Sequence, residues 1–216
     1  MMRFAVDANP VLADKFAADD LVASLMLVHG IHPHDVERRV AAAALINTGV
    51  GDLLAEQLIV PLPAFARGLN KTLATHGFVG SRAPLPRFSS PLSHAILRRI
   101  AFGPTASPAQ IAFYERMLIA CPPDVRANVG IAISEIELHE ALPRLDVPTV
   151  VVAGDRDRLT PPSHARRIAQ MLPRLERLIV LDETGHMAPL ERHDAVTGVL
   201  LELADNIGSG AGEAAA

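Results

Sequence analysis

Residues 148–153 read Pro-Thr-Val-Val-Val-Ala and stop at Gly154. No other feature restricts the fold as strongly. Three successive valines are stiff about χ1, which crowds a helix and suits a pleated strand. The run is apolar on both alternating faces, so it needs cover on both sides, as a strand inside a parallel sheet does. A second run, Arg177-Leu-Ile-Val-Leu181, follows downstream. Between them, Thr160-Pro161 reads as a helix start and Pro173 as a stop, which predicts a helix over 162–171. After the second strand comes the loop Asp182-Glu-Thr-Gly-His186. A last helix then carries Val196, Val199, Leu200 and Leu203 on one face. Strand, helix, strand, helix predicts neighbouring parallel strands with covering helices, an α/β fold.

Upstream the signals are of other kinds. Residues 3–29 read as helical with an interruption at Pro10, and Asp19 and Asp20 precede the apolar run 21–28. Residues 40–46, Val-Ala-Ala-Ala-Ala-Leu-Ile, end in Asn47-Thr48-Gly49. The alanines also suit a helix, but shortness and the turn residues favour a buried strand. Between 51 and 142, helical stretches alternate with proline joints. Ser107-Pro108 opens a helix over 109–120, which Pro122 stops, and Asp124 starts another running towards Glu140. Residues 77–91 read as a long loop.

Composition removes several classes of function. The formal net charge of -4 gives no basic surface for nucleic acid. A single cysteine, Cys121, allows no internal disulfide, and it is expected as a buried, inert thiol. No Cys/His group has zinc-ligand spacing, and no cofactor is expected. No stretch approaches the ~20 apolar residues of a membrane span. The expected location is cytoplasmic.

In an open parallel sheet, functional groups gather beyond the carboxyl ends of the strands. Gly154-Asp155-Arg156-Asp157 follows one strand and Thr184-Gly185-His186 follows the next. Neighbouring strands would bring Asp157 to His186, a carboxylate orienting an imidazole. Each residue also has a plainer reading. Asp155 and Asp157 could pair with Arg156, Arg158 or Arg166 on the surface, and His186 could be a loop histidine. The remaining histidines are expected to be mostly solvent-facing.

Residues 147–204 resemble the closing segment of α/β-hydrolases, in which a strand, G-x-x-D, a helix, a strand and G-H precede a helix with an acidic residue near its start. The resemblance implies Asp157 as the acid, His186 as the base and Glu191 as the following acidic residue. It implies that 40–47 is the family's sixth strand and that 51–143 is an inserted, all-helical lid. The expected organisation is a partial hydrolase core at 1–50, the lid at 51–143, the C-terminal core at 144–207 and a disordered tail at 208–216. With fewer strands than the family core, the sheet reads as incomplete and the chain as N-terminally truncated.

The family's nucleophile sits in a G-x-S-x-G elbow, and the chain contains none. The nearest echo is Leu21-Val-Ala-Ser24-Leu-Met26. Ser24 is the candidate nucleophile, against the preferred reading of an ordinary helix serine. Leu27-Val28-His29-Gly30 echoes the oxyanion segment, and helix end is its preferred reading. The resemblance implies Ser-His-Asp hydrolysis of an ester or related acyl bond in a small apolar substrate. The alternative is a catalytically silent remnant acting as a binding or regulatory protein, able to self-associate through its incomplete sheet.

Overall fold

The computed structural model describes residues 40–51, 53, 81–86 and 88–213, and for 207–213 the backbone alone. The expected helix at 3–29, Ser24, His29-Gly30 and residues 54–80 of the expected lid lie outside the described residues.

The described sheet has three parallel strands in the order β1 (Ala43–Ile46), β2 (Thr149–Gly154), β3 (Leu175–Leu181). Ala43 pairs with Thr149 and Ile46 with Val152. Across the other edge, Gly154 pairs with Leu181, and the register shifts once near Thr149/Val150. The strands at 40–46, 148–153 and 177–181 are therefore present. Every residue of the central strand is buried, as its unbroken apolar run predicts.

Alternation along β2 separates two layers of core. Val151 and Ala153 join Leu142, Leu145, Ala165 and Ile168 on one face. Val150 and Val152 meet Val199 and Leu203 on the other. Burying one such valine or isoleucine contributes about 1.5–3 kcal/mol. The first layer is closed by helix α4 (Pro162–Met171), which buries Ala165 and Ile168 three residues apart, one helical turn. The second is closed by the last helix, α6 (His193–Glu213), through Val199 and Leu203. Leu200, expected on that face, is exposed, because the buried stripe 196/199/203 leaves it about 100° round the helix from Val199. The backbone of α6 runs on to Glu213, past the point where the small, polar composition predicts a tail without structure.

Among the described residues, the connection from β1 to β2 holds three α-helices: α1 (Pro91–Ala101), α2 (Pro108–Ala120) and α3 (Pro123–Ser134). Capping boxes start two of them. Ser90 and Ser93 exchange bonds at α1, Ser107 and Gln110 at α2, and each helix has Pro at its first position. Helix α3 stops at Ser134 and does not run towards Glu140. Beyond it the chain bends so that the Leu138 N–H donates to the Val50 carbonyl at 2.6 Å, and Leu138, Ala141 and Leu142 enter the core. A short 3-10 turn, Leu142–Arg144, leads into β2. The four-residue helix α5 (Ala188–Glu191) lies between the loop after β3 and α6.

Candidate active site at the strand ends

The loops after β2 and β3 are stitched into one surface by their backbones. Asp155 N–H donates to Leu181 O at 3.0 Å, and Arg156 N–H donates to Thr184 O at 2.9 Å. The Asp155 carboxylate returns a bond by accepting from Thr184 N–H at 3.1 Å. Gly154 is required by this approach, because a Cβ there would collide with the backbone carbonyls of Thr184 and Gly185.

The stitching brings Asp157 and His186 together, with His186 Nδ1 2.9 Å from Asp157 Oδ2. Asp157 is buried and its oxygens make five hydrogen bonds. Oδ1 accepts from the backbone N–H of Leu159 and of Thr160, both at 2.9 Å. Oδ2 accepts from Asn47 Nδ2 and Thr160 Oγ1, also at 2.9 Å, beside His186. Burial pushes the Asp157 carboxyl up. The bonds and charge of His186, with donors from Asn47 and Thr160, outweigh it and hold the group below the usual carboxylate range. An ionised Asp157 requires the proton of the neutral imidazole on Nδ1, which leaves Nε2 with a lone pair. The His186 side chain keeps 26% of its surface exposed, so a reacting molecule can reach it. The surface ion pair belongs to the neighbouring aspartate: Arg156 lies 3.3 Å from Asp155 and 2.7 Å from Glu183.

The His186 loop is also fastened to the end of α1. His186 N–H donates to Ala101 O at 2.8 Å, and Met187 N–H reaches the same oxygen at 3.2 Å. Glu191, the acidic residue after the G-H pair, completes the fastening. Its Oε1 accepts from Gly185 N–H at 3.0 Å and its Oε2 from Gly103 N–H at 2.7 Å. Burial raises the Glu191 carboxyl against the pull of these donors. Gly185 sits so close to Phe102 and Gly103 that a Cβ there would strike their backbone. Phe102, Ala106 and Ile111 form a separate apolar cluster at this junction, with Met187 and Leu190 against it.

Two polar residues of the site have no role in the sequence reading. Thr160, read there as a helix start, spends its hydroxyl on Asp157 and lies 3.2 Å from His186 Nδ1, and α4 begins with no side-chain cap. Asn47, read as a turn residue, has φ 48 and reaches both Asp157 and the Gly185 carbonyl. The available signal was the residue type, since Asn tolerates the left-handed region at a strand end. His164, expected in solvent, is 1% exposed because α4 turns it against Gly49. His94 is held by Glu115 and Ser89, and His193 by Asp194. Cys121, expected buried, is partly exposed at the end of α2. Among the described residues, no group of three or more His, Cys, Asp or Glu side chains is arranged to hold a metal ion. No described helix is long and apolar enough to cross a membrane.

A family model described as the alpha/beta hydrolase fold matches residues 21–193. Among solved structures, a thermophilic esterase from Thermogutta terrifontis matches with a TM-score of 0.60 at 20% identity, over 85% of this chain and 62% of that one. An enol-lactonase from Burkholderia xenovorans matches with a TM-score of 0.59 at 21% identity, again over 85% and 62%. A hydrolase from Pseudomonas aeruginosa matches with a TM-score of 0.61 at 21% identity, over 93% and 70%. The chain thus spans 62% of the length of the esterase and the enol-lactonase. No functionally curated protein matches it.

Proposed function

Since the chain belongs to the α/β-hydrolase fold family, we propose that it hydrolyses an ester or related acyl bond in a small apolar substrate, with His186 as general base and Asp157 as the acid that orients it. The observation that carries this reading is the buried, five-fold hydrogen-bonded Asp157 seated 2.9 Å from a solvent-reachable His186. A carboxylate so held fixes the imidazole tautomer and stabilises the imidazolium formed when Nε2 takes a proton. The nucleophile in this reading is Ser24. Its hydroxyl loses a proton to Nε2 and attacks the carbonyl carbon. His186 then returns the proton to the leaving group, and water repeats the sequence on the acyl-enzyme.

The helices between β1 and β2 serve as the lid in this reading. Leu92 and Ile96 on α1, and Phe113 and Met117 on α2, are exposed apolar side chains one helical turn apart. They support an apolar acyl or alkyl group as the substrate's main body. The esterase and enol-lactonase among the similar structures support ester chemistry over other hydrolysis.

A second reading is favoured by one observation: these 216 residues contain no G-x-S-x-G. On that reading the chain keeps the acid and base without a nucleophile and acts as a binding or regulatory protein. It would self-associate through the sheet, where β1 pairs only with β2 among the described residues. Labelling with a serine-directed fluorophosphonate separates the two readings. The hydrolytic reading predicts labelling of the wild type and its loss in Ser24→Ala. A folded wild type that takes no label supports the silent form.

A further inference from the structure

We infer that Asn47 is a positioning residue for the Asp157–His186 pair, holding the charge of the acid and the backbone of the base loop together from the end of a third strand. The inference deepens the hydrolytic reading and rests on it. Asn47 lies just beyond β1, is 6% exposed, and has φ 48. Its Nδ2 donates to Asp157 Oδ2 at 2.9 Å and to Gly185 O at 3.1 Å. It therefore links the ends of β1, β2 and β3 through one side chain.

The chemistry of its neighbours fixes which way the amide faces. An ionised carboxylate oxygen and a backbone carbonyl only accept, so both contacts need N–H donors. Reversing the amide would set an oxygen against two others. The remaining atom, Oδ1, is buried and accepts no bond among the described residues. The side chain thus meets its two donor contacts, while its acceptor has no partner among the described residues. A serine or threonine has one proton to give, an aspartate none when ionised, and glycine or alanine nothing.

The oxygen that Asn47 touches is the one that takes His186 Nδ1. A donor there favours the ionised form of Asp157 and limits the directions from which the imidazole can approach. The second bond fixes the carbonyl of the residue preceding His186, so acid and base cannot drift apart independently. Among the described residues, the ionisable groups that interact with Asp157 include His186, in contact, and the Glu191 carboxylate. The Thr160 hydroxyl and the Leu159 and Thr160 N–H groups supply its other bonds.

The test uses the full chain with two variants. Asn47→Gly deletes the amide, and glycine tolerates the left-handed backbone. Asn47→Asp keeps the shape and sets a second carboxylate against Asp157. The reading is the pH titration of the Asp157 carboxyl carbon by NMR, which needs no turnover. Alongside it, kcat and KM are measured for a 4-nitrophenyl ester. Asn47→Gly is expected to move the Asp157 midpoint upward and to lower kcat about ten- to a hundredfold with KM little changed, the effect of losing a bond to a charged group. Asn47→Asp is expected to move the midpoint further up, as like charges do. An Asp157 titration in Asn47→Gly that superimposes on the wild type overturns the inference. Should that variant not fold, an unmoved midpoint in Asn47→Asp overturns it equally. A shifted titration in a chain whose wild type turns over no ester would leave Asn47's role standing and remove the hydrolytic reading.

Discussion

At the scale of single residues, Asp157 concentrates the interactions of the site. Five donors surround a carboxylate that is 2% exposed. Its native carboxyl lies below the ordinary range, so the folded state binds fewer protons there than the unfolded chain. The sign follows directly. Its stabilising contribution is complete above the unfolded value of about 3.9 and is lost as the pH falls through the lower native value. Urea unfolding of the wild type and Asp157→Asn should show a stability gap at neutral pH that closes as the solution is acidified below about pH 4. A gap that persists at the acid end would show that the stabilisation does not come from ionised Asp157. Asp157 and His186 were legible in the sequence because their spacing placed them on successive strand ends. Asn47 was not, because a buried hydrogen bond spanning 110 residues leaves no local pattern. Thr160 was not, because its place before Pro161 reads as a helix start and hides the bond its hydroxyl makes to Asp157 three residues earlier. Each showed only its local role, a turn residue and a helix opener.

At the scale of elements, the strands were legible for a simple reason. Four β-branched residues bounded by proline and glycine admit few alternatives, and β2 lies within a residue of the run that predicts it. The helix start at Ser107-Pro108 was equally clear, since Ser107 both caps and precedes the proline. The end of α3 was not legible. Its apolar residues continue past Ser134, but the chain has left the helix by Leu138, whose N–H bonds Val50 O across the fold. The fastening of α1 to the His186 loop is another tertiary feature, built from Ala101 O, Glu191 and two glycines in close approach. Gly185→Ala forces a methyl into the backbone of Phe102 and Gly103. Overpacking of this kind costs about 1–3 kcal/mol. Thermal unfolding should register that loss. Hydrogen exchange should show faster exchange of the His186 and Met187 amides, both bonded to Ala101 O. Unchanged protection of those two amides would mean that the junction tolerates the methyl and that Gly185 has no packing role.

At the scale of the molecule, the described chain is a three-stranded parallel sheet covered by α4 on one face and α6 on the other. The loops that carry Asp157 and His186 lie side by side at its carboxyl edge. That arrangement carries the proposal that the chain is a hydrolase of ester or acyl bonds. The most direct measurement is turnover of a short-chain 4-nitrophenyl ester by the folded wild type and by His186→Gln, compared at one pH and one protein concentration. The proposal predicts turnover by the wild type above the buffer rate and a loss of about 10²–10⁴-fold in His186→Gln, the range for removing a general base. A folded wild type no faster than buffer, or a His186→Gln variant as fast as the wild type, would contradict it.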